Sequence, residues 1–492
     1  MNDLGGTVET AYFGYVDIEY WEYSLMCFYL FGLYLYFARR KNQRIKTQPE
    51  YKYFLWGLYA KILGGIFFSL IYFYYYKGGD TISYFYSALP LSKLSRVDLM
   101  GFFSVLFGDN NVENRQWFTM ETGWPYDYIY SDDRTFMVIR LITPVIMLSF
   151  ESYLITTVMI ASLSYIGIWR CYQTFVRYFP DLKGQLAMAF LFMPSCIFWG
   201  SAILKDTFTF SAVFWYIHAL DNVVFRRRRG LGNISALVIS MWLIIAIKPY
   251  IFMSLFPLSL LWISYNRLAR IRNAMIKYIV LPIGFAVMIG ISLLIIFSMS
   301  ESLDKFSPEN ALTTIMVTHT DLKRSEEYGA NYFDVGEIEE NWASVITKFP
   351  VATNAALFRP YLWECKNVVM ILAGLENTFL LFMSILLLLR ARVLYVITMS
   401  MNNPIVLLCI SFTLFYGFVT GITTPNFGAL VRFKIPLLPF FVSGLYIMFY
   451  ILKRRRIARI HGHQFKFDDL TIRSPAMATS RARNEPVRGQ SR

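Results

Sequence analysis

The chain has 492 residues, of which 56% are hydrophobic, 18% aromatic and 16% charged, and its mean hydropathy is +0.43. Soluble domains carry about 25% charged residues, so this balance excludes an ordinary soluble enzyme and a disordered chain. The net charge of +14 would suggest nucleic acid in a soluble protein. Here the basic residues stand at the ends of apolar blocks, where they report membrane orientation and imply no nucleic-acid partner.

In chain order, apolar blocks lie at 21–38, 53–76, 152–170, 184–200, 206–224, 232–248, 250–266, 278–298, 367–389, 403–421 and 429–452. Each is long enough to cross hydrocarbon with modest tilt. The expected fold is therefore all-α: a polytopic membrane domain over 1–456 with about eleven crossings, and interfacial helices in two large outer loops near 77–151 and 299–366. The first twenty residues lack a basic segment, so no cleavable signal is expected. Arg39 to Lys46, Arg226 to Arg229, Arg267 to Arg272, Arg390/Arg392 and Lys453 to Arg456 fall in one set of loops. The positive-inside rule makes that set cytoplasmic, with the N-terminus outside and the C-terminus inside the bacterial inner membrane. The alternate loops are acidic: 77–134 holds eight acidic and five basic residues, and 299–350 ten and four. The apolar stretch 135–150, with Arg140 and Pro144, would invert every later loop if it crossed, and is read as lying in or against the outer interface. The sequence SYFYSALPLSKLSRVDLMGFFSVLF reads as interfacial helix. Beyond 457 the chain is polar and Arg-rich, as expected of a disordered cytoplasmic tail that anchors to anionic lipid.

Five scattered cysteines form no metal or disulfide spacing, and nucleotide-binding, zinc-protease and serine-hydrolase motifs are absent from the sequence. Chemistry must then use ionisable residues at the rims of the spans, which are costly in lipid and usually face a cavity. Those on the outer side are Asp80 in KGGDTISYF, Lys205 and Asp206 in GSAILKDTF, Lys248 in IKPY, Arg359 and Glu364 in FRPYLWE, and Arg432 with Lys434 after Asn426 in NFGALVRFKIPLLPF. Arg140 stands in the interfacial stretch. A carboxylate can accept the proton of an attacking hydroxyl, while Lys and Arg stabilise a departing phosphate. Gly78-Gly79 allows a tight turn before Asp80. The pair Asp132-Asp133 is an acidic site able to hold a divalent cation; no other cofactor is implied. Glu376, His218 and Asp221 are expected to be structural.

GGDTISYF after an early span, PSCIFWGSAILKDTF at a hairpin, FRPYLWE, and NFGALVRFKIPLLPF before the last span resemble bacterial multi-pass GT-C-type glycosyltransferases and polysaccharide polymerases. The resemblance spans roughly 53–452. It implies a polyprenyl-phosphate-linked sugar donor, a glycan, lipid or protein acceptor, and an outer active site. It matches Asp80 to the catalytic carboxylate and Arg432 to a donor-phosphate contact; Lys205, Lys248, Arg359 and Arg140 fill out the phosphate-binding set, supported by Asp206, Glu364, Asn426 and Lys434. One departure is that the acid follows the second span, whereas that class places it after the first. Two other readings stay open: a transporter or flippase of a lipid-linked envelope precursor, and a structural subunit of an envelope assembly. Each residue also has a plain structural role open to it, Asp80 as a turn acid, Asp206 as a helix-start acid and Arg359–Glu364 as an ion pair.

Overall fold

The computed structural model describes residues 6–9, 15–268, 283, 287, 310–324, 332–336, 338–339, 341–366, 368–462, 465 and 467. Among these, the paired strands are a hairpin of β1 (Gly6–Glu9) and β2 (Tyr15–Ile18), with Val8 opposite Val16. An isolated bridge joins Tyr332 to Asn426. The rest is helix and loop.

The first half runs α1 (Tyr20–Arg44), α2 (Phe54–Leu70), α3 (Asp80–Val97), α4 (Leu99–Phe107), α5 (Val112–Arg115), α6 (Asp127–Tyr130), α7 (Asp133–Leu148), α8 (Tyr153–Tyr178), α9 (Lys183–Leu191), α10 (Pro194–Trp199), α11 (Lys205–Leu220), α12 (Leu231–Ile247) and α13 (Pro249–Leu268). The second half runs α14 (Ala311–Arg324), α15 (Trp342–Thr347), α16 (Phe349–Phe358), α17 (Val368–Arg390), α18 (Val393–Asn402), α19 (Pro404–Thr423), α20 (Phe427–Phe433) and α21 (Leu438–Ile460). Among the described residues, five helices are long and apolar enough to cross a membrane: Pro49–Tyr75, Tyr153–Tyr178, Lys205–Phe225, Val368–Arg390 and Pro404–Thr423. A sixth is made if α20 and α21, bent by 66° at their junction, count as one span.

The expected eleven crossings are thus matched at five places among the described residues, or six if the bent pair counts as one. The block at 184–200 is corrected: the helix ends at Leu191 and Pro194 opens a new one, because proline at a helix start lacks the N–H that a continuous ladder would need. Blocks 232–248 and 250–266 are the shorter apolar helices α12 and α13. Block 21–38 falls in α1, which is not among the five, and 278–298 lies almost wholly outside the described residues. The last helix runs on to Ile460, so the tail's first residues are helical; from 468 it lies outside the described residues.

Apolar side chains left on the outside show where surroundings other than water are expected. α17 exposes Ile371, Leu375, Phe379, Phe382, Ile385 and Leu389, and only a third of its apolar stretch is buried. Contiguous apolar surface of that kind is rare on soluble proteins. α3 and α7 do not simply lie on the surface. With α8 they bury a second apolar core around Ile82, Phe85, Phe136, Ile139, Ile142 and Tyr153. α4 keeps Leu99, Met100, Phe103 and Phe107 exposed, as an interfacial helix would.

The bundle has two unlike ends. α11 leads from Lys205 towards Asp221 and Arg226, and at that end Arg177 and Arg226 meet on Asp221 while Arg454 pairs with Asp181 just beyond α8. Asp80, Lys205 and Lys248 stand at the other. At the basic end Asp221 is sealed in and bound by Tyr178 (2.6 Å), Arg226 (2.8 Å) and Arg177 (3.2 Å). His218 is held between Thr174 (2.8 Å) and Asn222 (3.0 Å). Nearby, Asp181 takes hydrogen bonds from Tyr450 and Arg454, which hold its carboxyl below the usual range.

Between α10 and α11 the chain unwinds over 200–204, and a carbonyl freed inside an apolar bundle must find a donor. Lys61, buried in α2, donates to the Gly200 carbonyl. Gly64 and Gly65 of the same helix let the two backbones touch: a Cβ on Gly64 would lie 2.3 Å from the Ile197 carbonyl oxygen, and one on Gly65 2.8 Å from that of Ser201. Gly64→Ala is therefore expected to destabilise the protein by about 1–3 kcal/mol through overpacking. Gly32→Ala, with nothing within 4 Å of the new atom, should be neutral or slightly stabilising. Thermal unfolding of both variants in detergent checks the contrast.

Candidate functional site

At the end opposite the basic clusters, four side chains from four distant segments join in one chain of ion pairs. Arg432 donates from Nη1 to Asp80 Oδ2 (2.6 Å) and from Nε to Asp206 Oδ2 (2.5 Å). The other oxygen of Asp206 accepts from Lys248 Nζ (2.5 Å). Beside this chain Lys205 pairs with Asp132 (3.1 Å) and lies in electrostatic range of both Lys248 and Asp80. Three cations thus face three carboxylates.

Each member owes its place to a local break in regular structure. Asp80 opens α3 after Gly79, whose φ of 103° suits glycine, and a Cβ there would meet the Tyr72 ring at 2.7 Å. Lys205 and Asp206 open α11 after the unwound 200–204 segment. Lys248 is the residue on which α12 ends before Pro249 opens α13. Arg432 sits in the last turn of the short helix α20, started by Asn426, whose side chain accepts from the Ala429 N–H. The Phe433 ring closes one side, its centroid 4.3 Å from Lys248 Nζ. Tyr72 and Tyr84 stand in electrostatic range of Asp80 and Arg432.

Burial grades the three carboxylates. The Asp206 side chain is 2% exposed, Asp132 35% and Asp80 44%. Asp132 is tied down locally as well: it caps α7 through the Arg134 N–H and also binds the Thr135 hydroxyl. Asp206 is a buried counter-ion with both oxygens occupied, while Asp80 faces open space and touches the cluster through Arg432.

The other residues expected at the site divide into supports and outliers. Arg359 and Glu364 form a two-point ion pair, Nε to Oε2 at 3.1 Å and Nη2 to Oε1. The guanidinium lies over the Phe333 and Phe427 rings. Lys434 is fully buried and donates to the Arg359 carbonyl (3.1 Å) and to Asn377 (2.7 Å). These groups brace the two ends of α20 and do not touch the Asp80–Arg432 chain. Glu376 accepts from the Ser195 N–H at 2.8 Å. Arg140 is outside the site: it donates to the Val105 and Gly108 carbonyls and to Asn110, and burial lowers its guanidinium from its ordinary value. Its bonds tie the α4–α5 turn to α7, away from the Asp80–Arg432 chain. Asp132 and Asp133 do not make a metal site with further ligands. Among the described residues, no three His, Cys, Asp or Glu side chains converge in that way.

One participant was not singled out in the sequence: Lys61, the prop under the segment that presents Lys205 and Asp206. Asp132, read from the sequence as half of a cation-holding pair, enters as the partner of Lys205. The signal for Lys61 was present, a lysine within an apolar block just before Gly64-Gly65. No family model matches the chain, and neither a curated protein nor a solved structure does.

Removing one partner from a buried ion cluster leaves an uncompensated charge. Asp206→Ala is expected to cost about 3–5 kcal/mol of stability, and Asp80→Asn at the open edge under about 1 kcal/mol; thermal unfolding in detergent separates them. Gly79→Ala, forced to keep a positive φ, should lose about 1–2 kcal/mol in the same assay, while Gly78→Ala, with free space around it, should behave as wild type.

Proposed function

We propose that the protein is an integral membrane glycosyltransferase or polymerase of GT-C type. In this reading it transfers a sugar or oligosaccharide from a polyprenyl-phosphate-linked donor to an acceptor hydroxyl at the outer face of the bacterial inner membrane. The observation that carries the proposal is the half-exposed Asp80 in direct contact with Arg432, beside Lys205 and Lys248, at the end of the bundle away from the basic clusters. By the positive-inside rule that end is the outer one.

The chemistry asks for these groups. The acceptor hydroxyl attacks the anomeric carbon, its proton passes to the Asp80 carboxylate, and the bond from that carbon to the donor phosphate oxygen breaks. The lipid phosphate leaves with the electron pair. Arg432 suits two-point phosphate binding, and Lys205 adds a point charge. Asp206 and Lys248 hold Arg432 in place from below, so that its position is set before any ligand arrives.

The transporter reading would draw on ionisable groups deeper in the bundle. Lys61, Glu376 and Lys434 are such groups, but each is engaged with backbone or a neighbouring side chain. The cavity beside Lys61 is about 10 Å³, room for roughly one water and no more.

Asp80→Asn is expected to lower transfer from a polyprenyl-linked donor by about 10²–10⁴-fold while leaving expression and the unfolding temperature near wild type. Arg432→Lys should lower it less, because a charge remains without the two-point geometry. The check is a transfer assay on membranes with labelled lipid-linked sugar, and full activity in Asp80→Asn would sink the assignment.

A further inference from the structure

The ion cluster is electrically complete as it stands, and that poses a question for the proposed function, on which this inference rests. Three carboxylates already neutralise Arg432, Lys205 and Lys248. A phosphate could enter only as an extra negative charge among satisfied cations, unless one carboxylate gives way.

The three are not equally able to do so. Asp206 has both oxygens bound in a dry setting, and losing them would strand two cations. Asp132 has its own bonds to the start of α7. Asp80 is the most exposed, and among the described residues its side chain is bound to Arg432 alone. It also opens α3, so a rotation about its side-chain bonds suffices to release it, with no movement of the helix. The second terminal nitrogen of Arg432, Nη2, has no partner among the described residues.

We infer that Asp80 occupies, at rest, the place on Arg432 that the donor phosphate takes, so that phosphate binding and release of the Asp80 carboxylate are one exchange. The site is then a phosphate site at Arg432 and Lys205 with a built-in competitor. Without donor, Asp80 is held by Arg432 and is a poor base. When a phosphate or diphosphate takes the guanidinium, Asp80 is freed beside it for the acceptor hydroxyl. An acceptor, or water, that arrives first finds a carboxylate whose basicity is lowered by its pairing with Arg432, which suppresses wasteful hydrolysis.

The test measures binding to the full-length protein in lipid nanodiscs, with farnesyl diphosphate and inorganic pyrophosphate as probes. Removing the competitor in Asp80→Asn should tighten farnesyl diphosphate binding by roughly five- to tenfold, and Asp80→Ser should do the same. Adding Arg432→Gln should abolish the gain. A larger gain for farnesyl diphosphate than for pyrophosphate supports the exchange with a lipid-linked ligand; an equal gain supports it with phosphate alone. Unchanged or weaker binding in both Asp80 variants, with Arg432→Gln still impairing the wild-type protein, overturns the exchange and leaves the proposed function standing. Probe binding that does not depend on Arg432 overturns both.

Discussion

A carboxylate sealed among apolar helices must be met by positive charge on both oxygens, and Asp206 imposes that demand on this fold. Lys248 satisfies one oxygen and Arg432 the other. Those two residues stand on helices that begin or end within a few positions of them, so the demand sets where α12 stops and how α20 is turned. Water could not substitute, since an unpaired charge at that depth would cost several kcal/mol. The cluster is therefore a constraint on the backbone as much as a set of side-chain contacts. The exposed carboxylate, Asp80, inherits a fixed neighbour from it.

The same demand reaches deeper. Asp206 can open α11 because the chain before it is unwound, and unwinding inside an apolar bundle exposes carbonyls. Lys61 answers one of them, from a helix whose two glycines permit backbone contact. The site thus rests on a charge placed well below it. That charge touches no member of the ion cluster and would be missed by any search confined to the rim.

The composition and block lengths made the helical, apolar character legible, and the rim charges brought Asp80, Lys205, Asp206, Lys248 and Arg432 forward as a group. They are spaced over some 350 positions in the chain, yet four of them bond directly in one chain and the fifth stands beside it. Three things were not legible. A largely apolar stretch of 17 residues at 184–200 does not reveal that Phe192 and Met193 interrupt it, because hydropathy is blind to hydrogen bonding. Arg140 and Arg359 have the composition of ligands, and only their geometry shows their guanidinium groups engaged by the α4–α5 turn and by Glu364. Nor does a count of charges distinguish Asp80 from Asp206. Burial does, and burial is a property of the assembled bundle.

The segregation of charge along the bundle has an electrical meaning in an energised membrane. Arg226 to Arg229 and Arg454 to Arg456 supply seven guanidinium groups; in the orientation proposed above, a negative interior would hold their end inward by about 2.3 kcal/mol per charge per 100 mV for any charge that traverses the field. Reversing the bundle would drag all seven through hydrocarbon and against that voltage. In the proposed orientation those charges would hold the bundle one way round, and the open carboxylate would face one compartment.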